Sequence, residues 1–65
     1  MGLRLKEFRK DRKLTQKQLA VLVDIKEKTI GHYEQGFTEP NIENIEKFCK
    51  FFGVSADVFL GFKEE

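Results

Sequence analysis

The sequence predicts an all-α chain built from five short helices around one small core. Three observations predict it. Apolar residues recur at the i, i+3, i+4 spacing of helices; Pro40, Gly36 and Gly53 fall where helices would start or stop; and Thr15, Asn41 and Ser55 stand where helices would need caps. There are no internal repeats or low-complexity tracts. A chain of 65 residues buries only about 60% of its unfolded surface, so the expectation is one domain over 1–65, with a core over about 3–60 and a short tail at 61–65.

The elements follow in order. The first helix is expected from about Leu3 to Arg12, with Leu5 and Phe8 as its apolar stripe and Arg4, Lys6, Arg9, Lys10 and Arg12 making a basic outer face. The second runs from Gln16 to Val23 and opens with Thr15 and Gln18, three apart, the pattern of a capping box. After a short connection at Asp24 and Ile25, a third runs from about Lys26 to Gln35 and is closed by Gly36. Pro40 and Asn41 announce the fourth, whose apolar stripe is Ile42, Ile45, Phe48, Cys49 and Phe52 and whose stop is Gly53. Ser55 caps a last short helix over Ala56 to Leu60.

Charge and composition narrow the function. The formal net charge is only +1, yet residues 1–33 hold nine Lys/Arg against four Asp/Glu, while residues 34–65 hold three against seven. A positive half beside a negative one suggests that the first meets a polyanion. One cysteine, Cys49, leaves no internal disulfide, and His32 with Cys49 falls short of the three or four ligands of a structural zinc site. There is no nucleophile with a positioned base and no Gly-rich phosphate loop, so no catalysis, cofactor, metal or small-molecule ligand is expected. No apolar run approaches the roughly 20 residues of a membrane span and no leader is evident, which points to the cytoplasm.

The segment from Gln16 to Gln35 forms a unit. Leu19, Val23, Ile25, Ile30 and Tyr33, with small Ala20 between them, let two helices cross steeply about a tight turn, and a larger residue at Ala20 would overpack the crossing. Asp24 occupies the turn, where its short polar side chain tolerates a left-handed backbone. These residues resemble the Cro/CI-type helix-turn-helix family of phage repressors and bacterial regulators. Leu14-Thr15-Gln16-Lys17-Gln18-Leu19-Ala20 is similar to the family's second helix, Tyr33-Glu34-Gln35-Gly36 to the end of its third, and Pro40, Phe52-Gly53-Val54-Ser55 and Phe59 to its C-terminal frame. The resemblance extends from about Leu5 to Leu60 and implies a lambda-repressor-like fold. Three departures stand out: Asp24 where Gly or Asn is usual, Lys26 where Ser or Thr often caps, and Cys49 where Ala is common.

The resemblance also implies a mechanism. The third helix would enter the major groove of double-stranded DNA and read bases through Lys26, Glu27, Lys28 and His32, with Thr29 at the edge of the set. Lys28 suits guanine O6 and N7, and Glu27 suits cytosine N4. Phosphates would be held by Gln16 at the positive end of the second helix, with Thr15 and Lys17 beside it and Phe37 and Thr38 in the following loop. Arg9, as in the family, would pair with Glu34 as a structural ion pair. Gly31 in mid-helix is unfavourable by about 0.8–1 kcal/mol relative to Ala, which either close approach of the backbone to DNA or a tolerated flaw would explain.

Phe51 and Val58 occupy positions that are usually polar in the family, and Phe62 follows the last helix. With Leu60, they are the expected interface of a symmetric homodimer, which would place two reading helices about 34 Å apart on a palindromic operator, most simply as a repressor. The competing reading is a protein-interaction module, such as an antitoxin-like partner built on the same fold. The charge split favours DNA.

Overall fold

A computed structural model describes residues 4–63, so the expected helix start at Leu3 and the end of the expected tail, Glu64 and Glu65, lie outside the described residues. Among the described residues five helices follow in order: α1 (Leu5–Asp11), α2 (Gln16–Val23), α3 (Glu27–Gln35), α4 (Ile42–Phe52) and α5 (Ala56–Phe59). No strand occurs among the described residues.

Every helix closes with the same device. An N–H bonds back five residues in each case: Leu14 to the Arg9 carbonyl, Ile25 to Ala20, Phe37 to His32, Val54 to Cys49 and Phe62 to Asp57, at 2.8–3.2 Å. This is the long bond of the Schellman motif, and it requires a left-handed residue just before the donor. Those residues are Lys13, Asp24, Gly36, Gly53 and Gly61, with φ between 57° and 84°. Asp24 tolerates the geometry through its short polar side chain. Lys13 has no such relief, and a left-handed L-residue costs about 1–2 kcal/mol. The strain follows from the tight passage between α1 and α2.

Helix starts are less uniform. Thr15 and Gln18 form the reciprocal capping box, at 3.0 and 2.8 Å. Asn41 accepts from the Asn44 N–H at 2.8 Å and Ser55 from the Val58 N–H at 3.3 Å. Lys26 caps α3 with no side-chain bond, so the acidic Glu27 in the first turn is what complements the helix dipole. The start of α1 is tied to the far end of the chain, where the Arg4 N–H bonds to the Phe59 carbonyl at 3.2 Å.

One core holds the five helices together. Leu5, Leu19, Ile30, Phe48 and Phe59 are fully buried, and Phe59 stacks against Phe8, Phe48 and Phe52 with ring centroids 5.5–6.4 Å apart. Ala20 lies buried in α2, whose packing against α3 is the most extensive helix pairing in the fold. Two expectations need correction. Ile42, read as part of the buried stripe of α4, is 76% exposed, because it is the first residue of that helix and overhangs the edge of the core. Val58, expected at a dimer interface, is only 7% exposed. The single turn of α5 points both Val58 and Phe59 inward, so Val58 belongs to this chain's own core and has little surface to offer a partner.

Candidate nucleic-acid interface

The outward surface of α3 begins with Lys26, Glu27 and Lys28, all exposed, at the end where α2 hands over to it. Thr29 and His32 are half-buried. The His32 ring lies against the Phe37 ring, centroids 5.8 Å apart, while Phe37 itself is 74% exposed just past the helix, next to exposed Thr38. The expected base readers therefore fall into a charged cluster at the first turn of α3, with Thr29 beside it, and His32 further along, packed on Phe37 of the expected phosphate set. Gln35, exposed and three residues beyond His32, continues the same face. Extending the helical spacing by one more turn would have found it.

The first turn of α2 lies alongside. Lys17 is exposed and Gln16 half-buried, and Thr15 is engaged in its capping box. The Gln16 side chain is also committed. Its Nε2 donates to Glu34 Oε1 at 2.9 Å, which leaves one amide proton for an anion, together with the Gln16 and Lys17 backbone N–H groups that the capping box does not use. Gly31 lies beneath this contact. A Cβ there would sit 3.5 Å from Gln16 Oε1, an ordinary van der Waals distance, so the fold itself does not demand glycine.

Glu34 is the node that fixes α1, α2 and α3 relative to one another. Arg9 Nε donates to Glu34 Oε2 at 2.7 Å and Arg9 Nη2 to Oε1 at 3.0 Å, while Nη1 reaches the Leu14 carbonyl at 2.7 Å. The two side chains are 10% and 3% exposed. Burial works to raise the Glu34 pKa, but hydrogen bonds from Arg9 and Gln16, with the attraction of Arg9 and Lys6, outweigh it and hold the carboxyl below its ordinary value. The same hydrogen bonding to Glu34 pushes the Arg9 guanidinium up, against its own desolvation. Both groups are thus charged at neutral pH, and α3 is clamped at its C-terminal end.

The arginines that flank α1 are structural as well. Arg4 pairs with Glu7 at 2.6 Å and lies 4.7 Å over the Phe8 ring. Arg12 donates to the Phe52 carbonyl at 2.9 Å, a cation at the negative end of α4, and covers the Phe51 and Phe52 rings. The chain therefore spends all three of its arginines, Arg4, Arg9 and Arg12, on holding the fold. Lys6, Lys10, Lys13, Lys17, Lys26 and Lys28 remain exposed.

The residues expected at a dimer contact are scattered in burial. Phe51 and Leu60 are half-buried against the core, and Phe62 is 64% exposed. Cys49 is also half-buried, and burial followed by the nearby Glu46 raises its thiol pKa, in keeping with a packing role. Among the described residues no helix is long and apolar enough to cross a membrane, and no cluster of three or more His, Cys, Asp or Glu could hold a metal.

Comparison with known proteins agrees with this geometry. The helix-turn-helix family matches residues 5–59. The HTH-type transcriptional regulator ImmR of Bacillus subtilis (strain 168) is 33% identical over 61 residues, covering 94% of this chain and 48% of that protein. The cryptic phage CTXphi transcriptional repressor RstR of Vibrio cholerae is 33% identical over 51 residues, 78% of this chain and 46% of that one. The crystal structure of a transcriptional regulator from Listeria innocua superposes on all of this chain and 64% of its own, with a TM-score of 0.79 and 26% identity. This chain spans about half the length of these two curated relatives.

Proposed function

The chain belongs to the helix-turn-helix family, and from that membership we propose that it binds double-stranded DNA as a transcriptional regulator, with α3 in the major groove. Family and fold are those of transcription regulators and not of enzymes. One observation carries the DNA reading. The α2–α3 unit presents Lys26, Glu27 and Lys28 outward at the start of the crossing helix, with Gln16 and Lys17 at the neighbouring helix start. The first set is suited to base edges and the second to phosphates, the division of labour this motif uses. Thr15, Phe37 and Thr38 flank the phosphate path, and His32, Thr29 and Gln35 extend the reading face. Lys28 donating to guanine and Glu27 accepting from cytosine would each discriminate by about 1–3 kcal/mol.

The proposal includes repression by a homodimer on a palindromic site, through Phe51, Leu60 and Phe62 at the α4–α5 end. The exposed Phe62 ring supports that surface. Selection from a random duplex library, followed by titration at several salt concentrations, tests the whole reading. A palindromic consensus and an affinity falling steeply with log salt are expected. Failure to bind any duplex at low ionic strength would overturn DNA recognition. A single half-site, with a monomer in sedimentation both free and DNA-bound, would overturn the dimer alone.

A further inference from the structure

α2 turns Gln16, Leu19, Ala20 and Val23 inward and leaves Lys17, Gln18, Val21 and Leu22 outward. Val21 is 76% and Leu22 56% exposed, two adjacent large apolar side chains where a small soluble domain would ordinarily place polar ones. They are not isolated. A concavity of about 440 Å³ is walled by Leu14, Val21 and Leu22 and edged by Lys17 and Gln18. A second, of about 260 Å³, continues from Leu22 and Val23 to Phe51, edged by Lys47 and Lys50. Together they make an open groove along α2, a helix of eight residues and so about 12 Å long.

We propose that this groove docks an acidic amphipathic helix of another protein. The lining is apolar in its floor and carries three lysines and no carboxylate, so its complement is a stripe of apolar side chains flanked by Asp or Glu. About two turns of helix, with anchors at i, i+4 and i+7, match the length of the groove. Charge also decides against a second copy of this chain. A two-fold interface places the same patch against itself, which would bring Lys17, Lys47 and Lys50 of both copies together with no counter-charge in the lining. A duplex is a poor occupant too, because its phosphate backbone satisfies lysines but offers no apolar surface to Val21 and Leu22. Val21, Leu22, Lys47 and Lys50 lie outside the proposed reading, phosphate and dimer sets, whereas Lys17 and Phe51, at the two ends of the groove, are shared with the phosphate and dimer surfaces, so docking is centred between them.

Two synthetic peptides test the proposal: a helical peptide with leucines at i, i+4 and i+7 flanked by glutamates, and its twin with lysines replacing the glutamates. Anisotropy titration should show the acidic peptide binding at least about tenfold more tightly than the basic one, a gap of about 1.4 kcal/mol. Amide shift perturbations should centre on Val21, Leu22, Lys47 and Lys50. Val21→Glu with Leu22→Glu should abolish binding of the acidic peptide, and Lys47→Glu with Lys50→Glu should reverse the preference toward the basic twin. Both pairs should leave circular dichroism unchanged, and the uncharged pair Val21→Ser with Leu22→Ser should lose the acidic peptide while leaving duplex affinity unchanged. Four outcomes overturn the idea: no peptide binding, equal binding of the twins, perturbations centred elsewhere, or Val21 and Leu22 resonances responding to duplex DNA instead. Loss of self-association in Val21→Glu with Leu22→Glu would also overturn it, by making a second copy the occupant.

Discussion

Arg9→Ala removes three donated hydrogen bonds at once, two to Glu34 and one to the Leu14 carbonyl. It also strands a carboxylate whose side chain is 3% exposed. Breaking one partner of a buried ion pair costs about 3–5 kcal/mol, most of it the uncompensated charge left behind. A core of this size supplies only about 3–5 kcal/mol in total, so the variant should be largely unfolded at room temperature. Thermal melting and guanidinium titration followed by circular dichroism would measure this. At roughly 4–8 °C per kcal/mol, the midpoint should fall by about 12 °C or more. A second variant separates pairing from bulk. Arg9→Met with Glu34→Leu replaces both charges by apolar groups and should lose much less than Arg9→Ala alone, because no charge is left buried. If Arg9→Ala melts within about 1 kcal/mol of the parent, the reasoning about this clamp is wrong, since that is no more than an ordinary hydrogen bond is worth.

The same structure carries four further predictions. Lys13→Gly relieves a left-handed L-residue (about 1–2 kcal/mol) while adding unfolded-state freedom (about 0.4–1 kcal/mol), so a net gain of about 0.5–1 kcal/mol in thermal melts is expected; a lowered midpoint would refute it. Gly31→Ala should stabilise by about 0.8 kcal/mol, because the new methyl meets Gln16 only at 3.5 Å; an accompanying loss of duplex affinity would assign Gly31 to backbone approach. The folded Glu34 pKa lies below the ordinary 4.5, so its contribution to stability is fully present above that value and is lost as pH falls through the folded value. Melting midpoints should therefore decline as the solution is acidified below about pH 5, and Glu34→Gln should flatten that decline; an unchanged acid slope in the variant counts against the clamp. For DNA, Lys28→Ala should relax specificity at one base pair by about 1–3 kcal/mol, whereas Lys17→Ala should weaken all duplexes alike and lower the salt slope by about one; identical behaviour of the two would remove the division between reading and anchoring.

Much of the fold was legible because short-range signals agreed with one another. Thr15 with Gln18, Asn41 and Ser55 marked three helix starts, and Asp24, Gly36 and Gly53 marked three ends, all within a residue of where the structure has them. Such signals are local: a cap or a left-handed residue acts on backbone groups three to five positions away. Periodicity was a poorer guide at the margins. It grouped Ile42 with the inward stripe of α4, and the polarity usual in the family placed Val58 at a dimer surface; the structure reverses both, since depth depends on where an element stops relative to the others and not on spacing along it.

The candidate site divides along the same line. Residue type and position by themselves determined the α2–α3 crossing, the chemistry available at Lys26, Glu27, Lys28 and Gln16, and the positive balance of the first half. Only the tertiary structure decided how that charge is used. Arg4 and Arg12 look like members of a solvated basic face in the linear chain, yet one covers Phe8 and the other caps α4, forty residues away. Gln16 meets Glu34 and Gly31, and Val21 with Leu22 opens onto Lys47 and Lys50, only because the five helices close around a single stack of phenylalanines. Local backbone chemistry depends on neighbours in sequence, whereas burial, pairing and surface shape depend on neighbours in space, and those exist only once the core has formed.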